Sequence, residues 1–182
     1  MAPRLRMVFL ALLMVLATAC GTDSSPPQTT EERPAVKDRP AMETMVKRYE
    51  AMQADVFDAL EKEFGAKPWE VSPNSLGGGR SGCGGPEDDP EGEEVQLPPM
   101  SFTGTYPAAD WDQVRDLVEE VGRKHGFDDV AHVKDEPGDL DMVGEDKYGA
   151  QYEFGMAKNT IFDLRTGCHR WNEKPPPGAL RP

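Results

Sequence analysis

Residues 111–126 read WDQVRDLVEEVGRKHG, and the reading of this stretch decides the fold. Trp111, Val114, Leu117, Val118, Val121 and His125 recur at three- and four-residue steps, which predicts a helix with one apolar side. Asp110 and Asp112 stand near its start, and Arg123, Lys124 and His125 near its end, as the helix dipole favours. Gly126 is the expected stop. Upstream, Met42, Met45, Val46, Tyr49, Met52, Val56, Leu60 and Phe64 form a second stripe, predicting a helix from near Pro40 to Gly65. Its methionines read as core rather than as soft-metal ligands or a pliable groove.

Around these helices the spacing shortens to two. Trp69-Glu70-Val71, Met100 to Tyr106, and Val130 with His132 and Lys134 have strand character. Residues 150–154 and 159–164 read as a hairpin, and Glu136-Pro137-Gly138 as a turn. Helix, strand, helix and then several strands predict an α+β fold, with two helices packed on one face of a small antiparallel sheet.

The N-terminus fixes the compartment. Arg4 and Arg6 precede an apolar run from Met7 to Leu16, followed by small residues Ala17, Thr18 and Ala19. This is a signal-peptide pattern, and the run is too short to span a bilayer. Cys20 follows directly, so Leu16-Ala17-Thr18-Ala19-Cys20 reads as a lipobox. Ala17 stands where a branched aliphatic residue is usual, and ordinary cleavage after Ala19 is the competing reading. A diacylglycerol on Cys20 plus an N-terminal acyl chain would anchor the protein stably. The expected organisation is a signal peptide at 1–19, a lipidated flexible tether at 20–39, one α+β domain at 40–172 and a proline-rich tail at 173–182. The tether is polar, with Ser24-Ser25-Pro26-Pro27 and Glu31-Glu32, and cannot repay its ordering entropy.

The chain carries 20 Lys+Arg against 33 Asp+Glu. Without Arg4 and Arg6 the formal net charge is −15. Such a surface repels nucleic acid and anionic headgroups and attracts basic partners or cations. With Cys20 lipidated, Cys83 and Cys168 are left, and in an oxidising compartment they read as one disulfide. No C-x₂-C or H-x₃-H pair suggests zinc.

The remaining motifs are weak. Gly77-Gly78-Gly79-Arg80-Ser81-Gly82 lacks the ending of a phosphate loop and reads as a flexible loop ending at Cys83. The acidic run Glu87 to Glu94 lacks calcium-loop spacing and reads as a solvated loop. Asp139 to Glu145 superficially resembles an EF-hand loop, but Val143 and Ala150 stand where acids are required. No metal or cofactor is expected.

Several features occur together: Arg48-Tyr49, Trp69, Gly82-Cys83, Trp111, Lys124-His125-Gly126, Gly149-Ala150-Gln151-Tyr152-Glu153-Phe154 and Thr166-Gly167-Cys168. With the lipobox, these resemble the LppA-like lipoproteins of actinobacteria from about Pro40 to Trp171. The resemblance implies a cell-envelope lipoprotein and carries no catalytic residues.

Three functions compete. A non-catalytic binding module on the outer face of the membrane, using the sheet face free of helices, is preferred; its partner would be an envelope protein or wall component. A carrier of a small apolar ligand or lipid would need a cavity lined by residues such as Met45, Phe102 and Trp111. An envelope hydrolase would draw a base from His125, His132 or His169, but neither G-x-S-x-G nor H-E-x-x-H occurs.

Overall fold

The structure, a computed structural model, describes residues 33–180 except 74, 76, 88 and 137. The signal peptide, Cys20 and the tether up to residue 32 lie outside the described residues, as does part of the turn expected at 136–138.

Both helices form where the stripes place them. The first, α1, spans Met42–Phe64 and ends at Gly65, whose φ of 79° is open to glycine at little cost. The second, α2, spans Trp111–Lys124. Among the described residues the strands are β1 (Glu70–Val71), β2 (Gly79–Gly82), β3 (Gly92–Gln96), β4 (Met100–Thr103), β5 (Asp129–Glu136), β6 (Asp139–Glu145), β7 (Gln151–Met156), β8 (Asn159–Arg165) and β9 (His169–Arg170).

They form one antiparallel sheet with β1-β4-β8-β7-β6-β5 across it. β3 continues the rank of β4 along β8, with Gln96 opposite Arg165 and Leu97 N–H donating to Leu164 O. Pro98 and Pro99 separate β3 from β4, because neither supplies a ladder N–H. β2 flanks β3 on the outer side, and β9 pairs with its first residues.

Alternation assigns the faces. Leu140, Met142 and Gly144 of β6, Tyr152, Phe154 and Met156 of β7, and Thr160, Phe162 and Leu164 of β8 are buried toward the helices. Phe57 of α1 meets the edge of Phe162, and Trp111 of α2 stacks on Phe154. Tyr49 of α1 donates from its hydroxyl to Asp146 Oδ2 at 2.6 Å, which ties α1 to the turn between β6 and β7. Asp146 Oδ1 accepts from the N–H groups of Tyr148 and Ala150, so this buried carboxylate is satisfied. Cys83 and Cys168 are disulfide-bonded with Cα atoms 5.8 Å apart, tying the loop after β2 to the residue just before β9.

Four expectations change. The acidic run gives up its last residues to β3, because Val95 and Leu97 are drawn fully into the core. The glycine-rich loop forms edge strand β2 along β3. The EF-hand-like stretch is β6, its alternating Leu140 and Met142 turned inward. At the ends of the domain, Val36 and Arg39 are already buried, and Arg80 donates to the carbonyls of Pro175, Pro176 and Ala179 in the tail.

The Tyr152 ring lies between α2 and β6, over Gly122 and Gly144, and a Cβ on Gly144 would run into it. Gly144→Ala should therefore destabilise the domain by about 2–3 kcal/mol through overpacking. Gly155→Ala, whose Cβ would find only ordinary contacts, should stay within about 1 kcal/mol. Urea denaturation midpoints measure both.

Candidate functional site

The other face of the sheet carries the alternate residues. Val143, Glu153 and Asp163 lie side by side across β6, β7 and β8. In the next row Glu145, Gln151 and Arg165 line up, with Gln96 of β3 beyond. Asp141 lies opposite Gly155, where the missing side chain leaves room for its Oδ1. Gln96, Val143, Gln151, Glu153, Asp163 and Arg165 line a shallow depression of about 280 Å³.

Its rim is hydrogen-bonded and its middle is not. Arg165 donates to Gln151 Oε1 at 2.5 Å, and Gln151 donates to Glu145 at 2.7 Å. Gln96 donates to Asp163 and, at 3.0 Å, to Leu164 O. Burial, then the neighbouring Asp141 and Asp163 charges, pushes the Glu153 carboxyl above its usual range. Burial likewise raises Asp141 and Asp163, against the opposing effects of Lys134 on the first and of hydrogen bonds on the second. Asp141 Oδ1 is buried without a hydrogen-bond partner. Three half-buried carboxylates thus share a face with only partial compensation.

A second depression, lined by Pro90, Glu91, Arg170, Trp171 and Lys174, has the opposite character. Burial would raise the adjacent Glu93, but Arg80, Lys174 and the Trp171 indole N–H outweigh it and hold Glu93 at about 2. Its charges are paired with one another.

The other expected residues are scattered. His125 Nε2 meets Asp55 between the helices, His132 Nε2 meets Glu119 of α2, and buried His169 meets Pro40 O. Met45, Phe102 and Trp111, the expected lining of an apolar cavity, are buried in the core; Phe102 packs edge-on against Trp69 and Tyr106. Among the described residues no group of three or more His, Cys, Asp or Glu could hold a metal ion, and no helix is long and apolar enough to cross a membrane.

The sequence reading missed the open-face residues. Glu153 and Asp163 could have been found as the outward partners of Tyr152, Phe154, Phe162 and Leu164. Asp141 and Val143 could not be placed while β6 went unrecognised.

The raised carboxyls have a definite sign. A carboxyl whose folded pKa lies above its unfolded value favours folding below the unfolded pKa, and that stability is lost as pH rises through the folded value. Glu153→Gln should therefore stabilise the domain at pH 7 by up to about 1 kcal/mol once solvent screening is counted. The gain should vanish below about pH 4, near the ordinary glutamate value. Urea midpoints of both proteins at the two pH values measure it.

The fold is shared with solved structures. The LppA lipoprotein of Mycobacterium tuberculosis superposes with a TM-score of 0.61 at 15% identity, covering 81% of this chain and 89% of that one. A DUF4853 family protein from Actinomyces odontolyticus gives 0.59 at 19% identity, covering 79% and 76%. No curated protein matches in sequence. The model of the LppA family, described as a lipoprotein confined to pathogenic Mycobacterium, matches residues 18–172, and the chain belongs to that family.

Proposed function

We propose that the protein is a non-catalytic binding module, held by lipid on Cys20 at the outer face of the cell membrane, with the open face of its sheet as its contact surface. The anchor is supported by the lipobox and by a lipoprotein-family match that begins at residue 18 and takes in Cys20. The observation that carries the binding reading is the cluster of Asp141, Glu153 and Asp163, half-buried and raised on a face that neither helix covers. Like charges brought together there cost stability, and a partner bearing Lys or Arg side chains would relieve them. An envelope protein or wall component with such groups fits the face.

Two outcomes are expected. Protein extracted in detergent from its own cells should begin at residue 20 and carry a diacylglyceryl group and an acyl chain by intact mass, and Cys20→Ser should remove both. A photo-crosslinking residue in place of Val143 should capture a saturable envelope partner in intact cells. The same residue in place of Glu61, exposed on α1, should not. An unmodified residue 20 removes the anchor, and equal capture from both positions removes the contact surface.

A further inference from the structure

Residues 33–40 lie where the expected tether meets the domain, and they are fastened down. The Arg39 side chain is only 2% exposed. Its Nη1 and Nη2 each donate at 2.9 Å to one carboxylate oxygen of Glu87. Nη1 also donates to Tyr148 O at 3.1 Å and Cys168 O at 2.9 Å, and Nε to Pro34 O at 2.7 Å. His169 Nδ1 is the donor to Pro40 O at 2.9 Å, since a carbonyl only accepts. Arg33 adds bonds to Glu87 and Glu145.

Three of these partners, Glu87, Cys168 and His169, belong to the disulfide corner. Glu87 sits in the short 3₁₀ turn Gly85–Glu87 just after Cys83. Cys168 supplies a carbonyl to Arg39, its Sγ lies 4.0 Å from Glu87 O, and His169 follows it in the chain. The same bond that closes the corner thus positions the carboxylate that holds Arg39. Cys168 is fully buried, whereas Cys83 is partly exposed.

We propose that residues 33–40 are a latched length of tether, released when a dithiol reductant opens the Cys83–Cys168 bond. A thiolate of the reductant attacks Sγ of Cys83, the accessible sulfur. The S–S electron pair leaves on Cys168, which takes a proton. The second thiol of the reductant then displaces Cys83, so the reductant ends as a disulfide and both cysteines as thiols. The loop carrying Glu87 loses its covalent base. Part-exposed Arg170 still pairs with Asp89 and Glu91 beyond Glu87, and Cys83 N–H still donates to Gly92 O, but ion pairs open to solvent hold weakly. A buried guanidinium without its carboxylate is strongly unfavourable, so Arg39 and the strap move out to water. Eight freed residues add up to about 25 Å of reach. That added reach has meaning only with Cys20 anchored, and so rests on the reading above; the release itself does not.

The Lys37–Asp38 bond reports the latch. Lys37 is exposed within the 3₁₀ turn Val36–Asp38, and trypsin cuts after it; Arg33 and Arg39 are each followed by proline, which blocks cleavage. In the oxidised full-length chain this bond should resist trypsin. Reduction should speed its cleavage at least about tenfold, as expected for loss of charge-assisted hydrogen bonds in a local opening, while the near-ultraviolet circular dichroism of the domain is retained. Glu87→Gln should have the same effect in the oxidised chain, and Glu119→Gln, whose charged partners Arg115, Arg123 and His132 lie on α2 and β5, should not. Cleavage unchanged by reduction or by Glu87→Gln overturns the latch. So does reduction that unfolds the whole domain with the strap. Absence of lipid at Cys20 leaves the cleavage result unaltered, so the two readings fail separately.

Discussion

The approach of α2 to the sheet is governed by one ring. Tyr152 stands on the central strand β7, with Gly122 of α2 on one side and Gly144 of β6 on the other. Phe127 meets it edge-on and Phe162 lies parallel to it. A side chain at either glycine would push the helix or the hairpin outward, and the stack from Trp111 to Phe154 would open with it. The inward residues of β6, β7 and β8 are thereby buried beneath the helices. The other side of these strands carries Glu145, Gln151, Glu153, Asp163 and Arg165.

Buried carboxylates are handled in two ways on the two sides of that sheet. On the helix side, Asp146 is fully occupied by the Tyr49 hydroxyl and two backbone N–H groups. Burial and the Asp146 charge push the Tyr49 hydroxyl upward, so it remains a donor. On the open side, Glu153 sits between Asp141 and Asp163 with no comparable donors, and Asp141 Oδ1 has none. A sequence selected for stability alone would not keep three acids there, since glutamine or threonine would fit a strand as well. The contrast, more than the overall acidity of the chain, is what supports a role for that face.

The helices were legible because each stripe is long and its period unambiguous. Trp111, Val114, Val118 and Val121 are all buried, as the spacing requires. The β7–β8 hairpin was legible for the same reason, with apolar residues at alternate positions and a short turn between. Three strands were hidden by their composition. β2 is Gly-Arg-Ser-Gly, and only its pairing with β3 makes it a strand. β3 begins with Gly92-Glu93-Glu94, and long-range burial of Val95 decides its state. In β6 the acids alternate with Leu140 and Met142, so a metal-loop resemblance masked a period of two. The Arg39–Glu87 pair joins positions far apart in the chain, one in an expected tether and one in an expected loop. Nothing local in either segment marks it.

Two solved structures share this architecture while differing from the chain at most positions. The fold therefore rests on a pattern, apolar groups at inward positions and helices of the right length, and not on sequence identity. It makes no comparable demand on the outward residues of β6, β7 and β8, which can change without disturbing the core. Membership of the family thus transmits the scaffold and says little about what each member does. In this chain the departures from what the scaffold needs are the raised carboxylates of the open face and the guanidinium locked under the disulfide corner. Each carries a desolvation penalty that an apolar or neutral residue would avoid. In a marginally stable domain such penalties are a sizeable part of the whole, and Arg39 offsets its own through Glu87 and the Tyr148 and Cys168 carbonyls while Glu153 has no such donors.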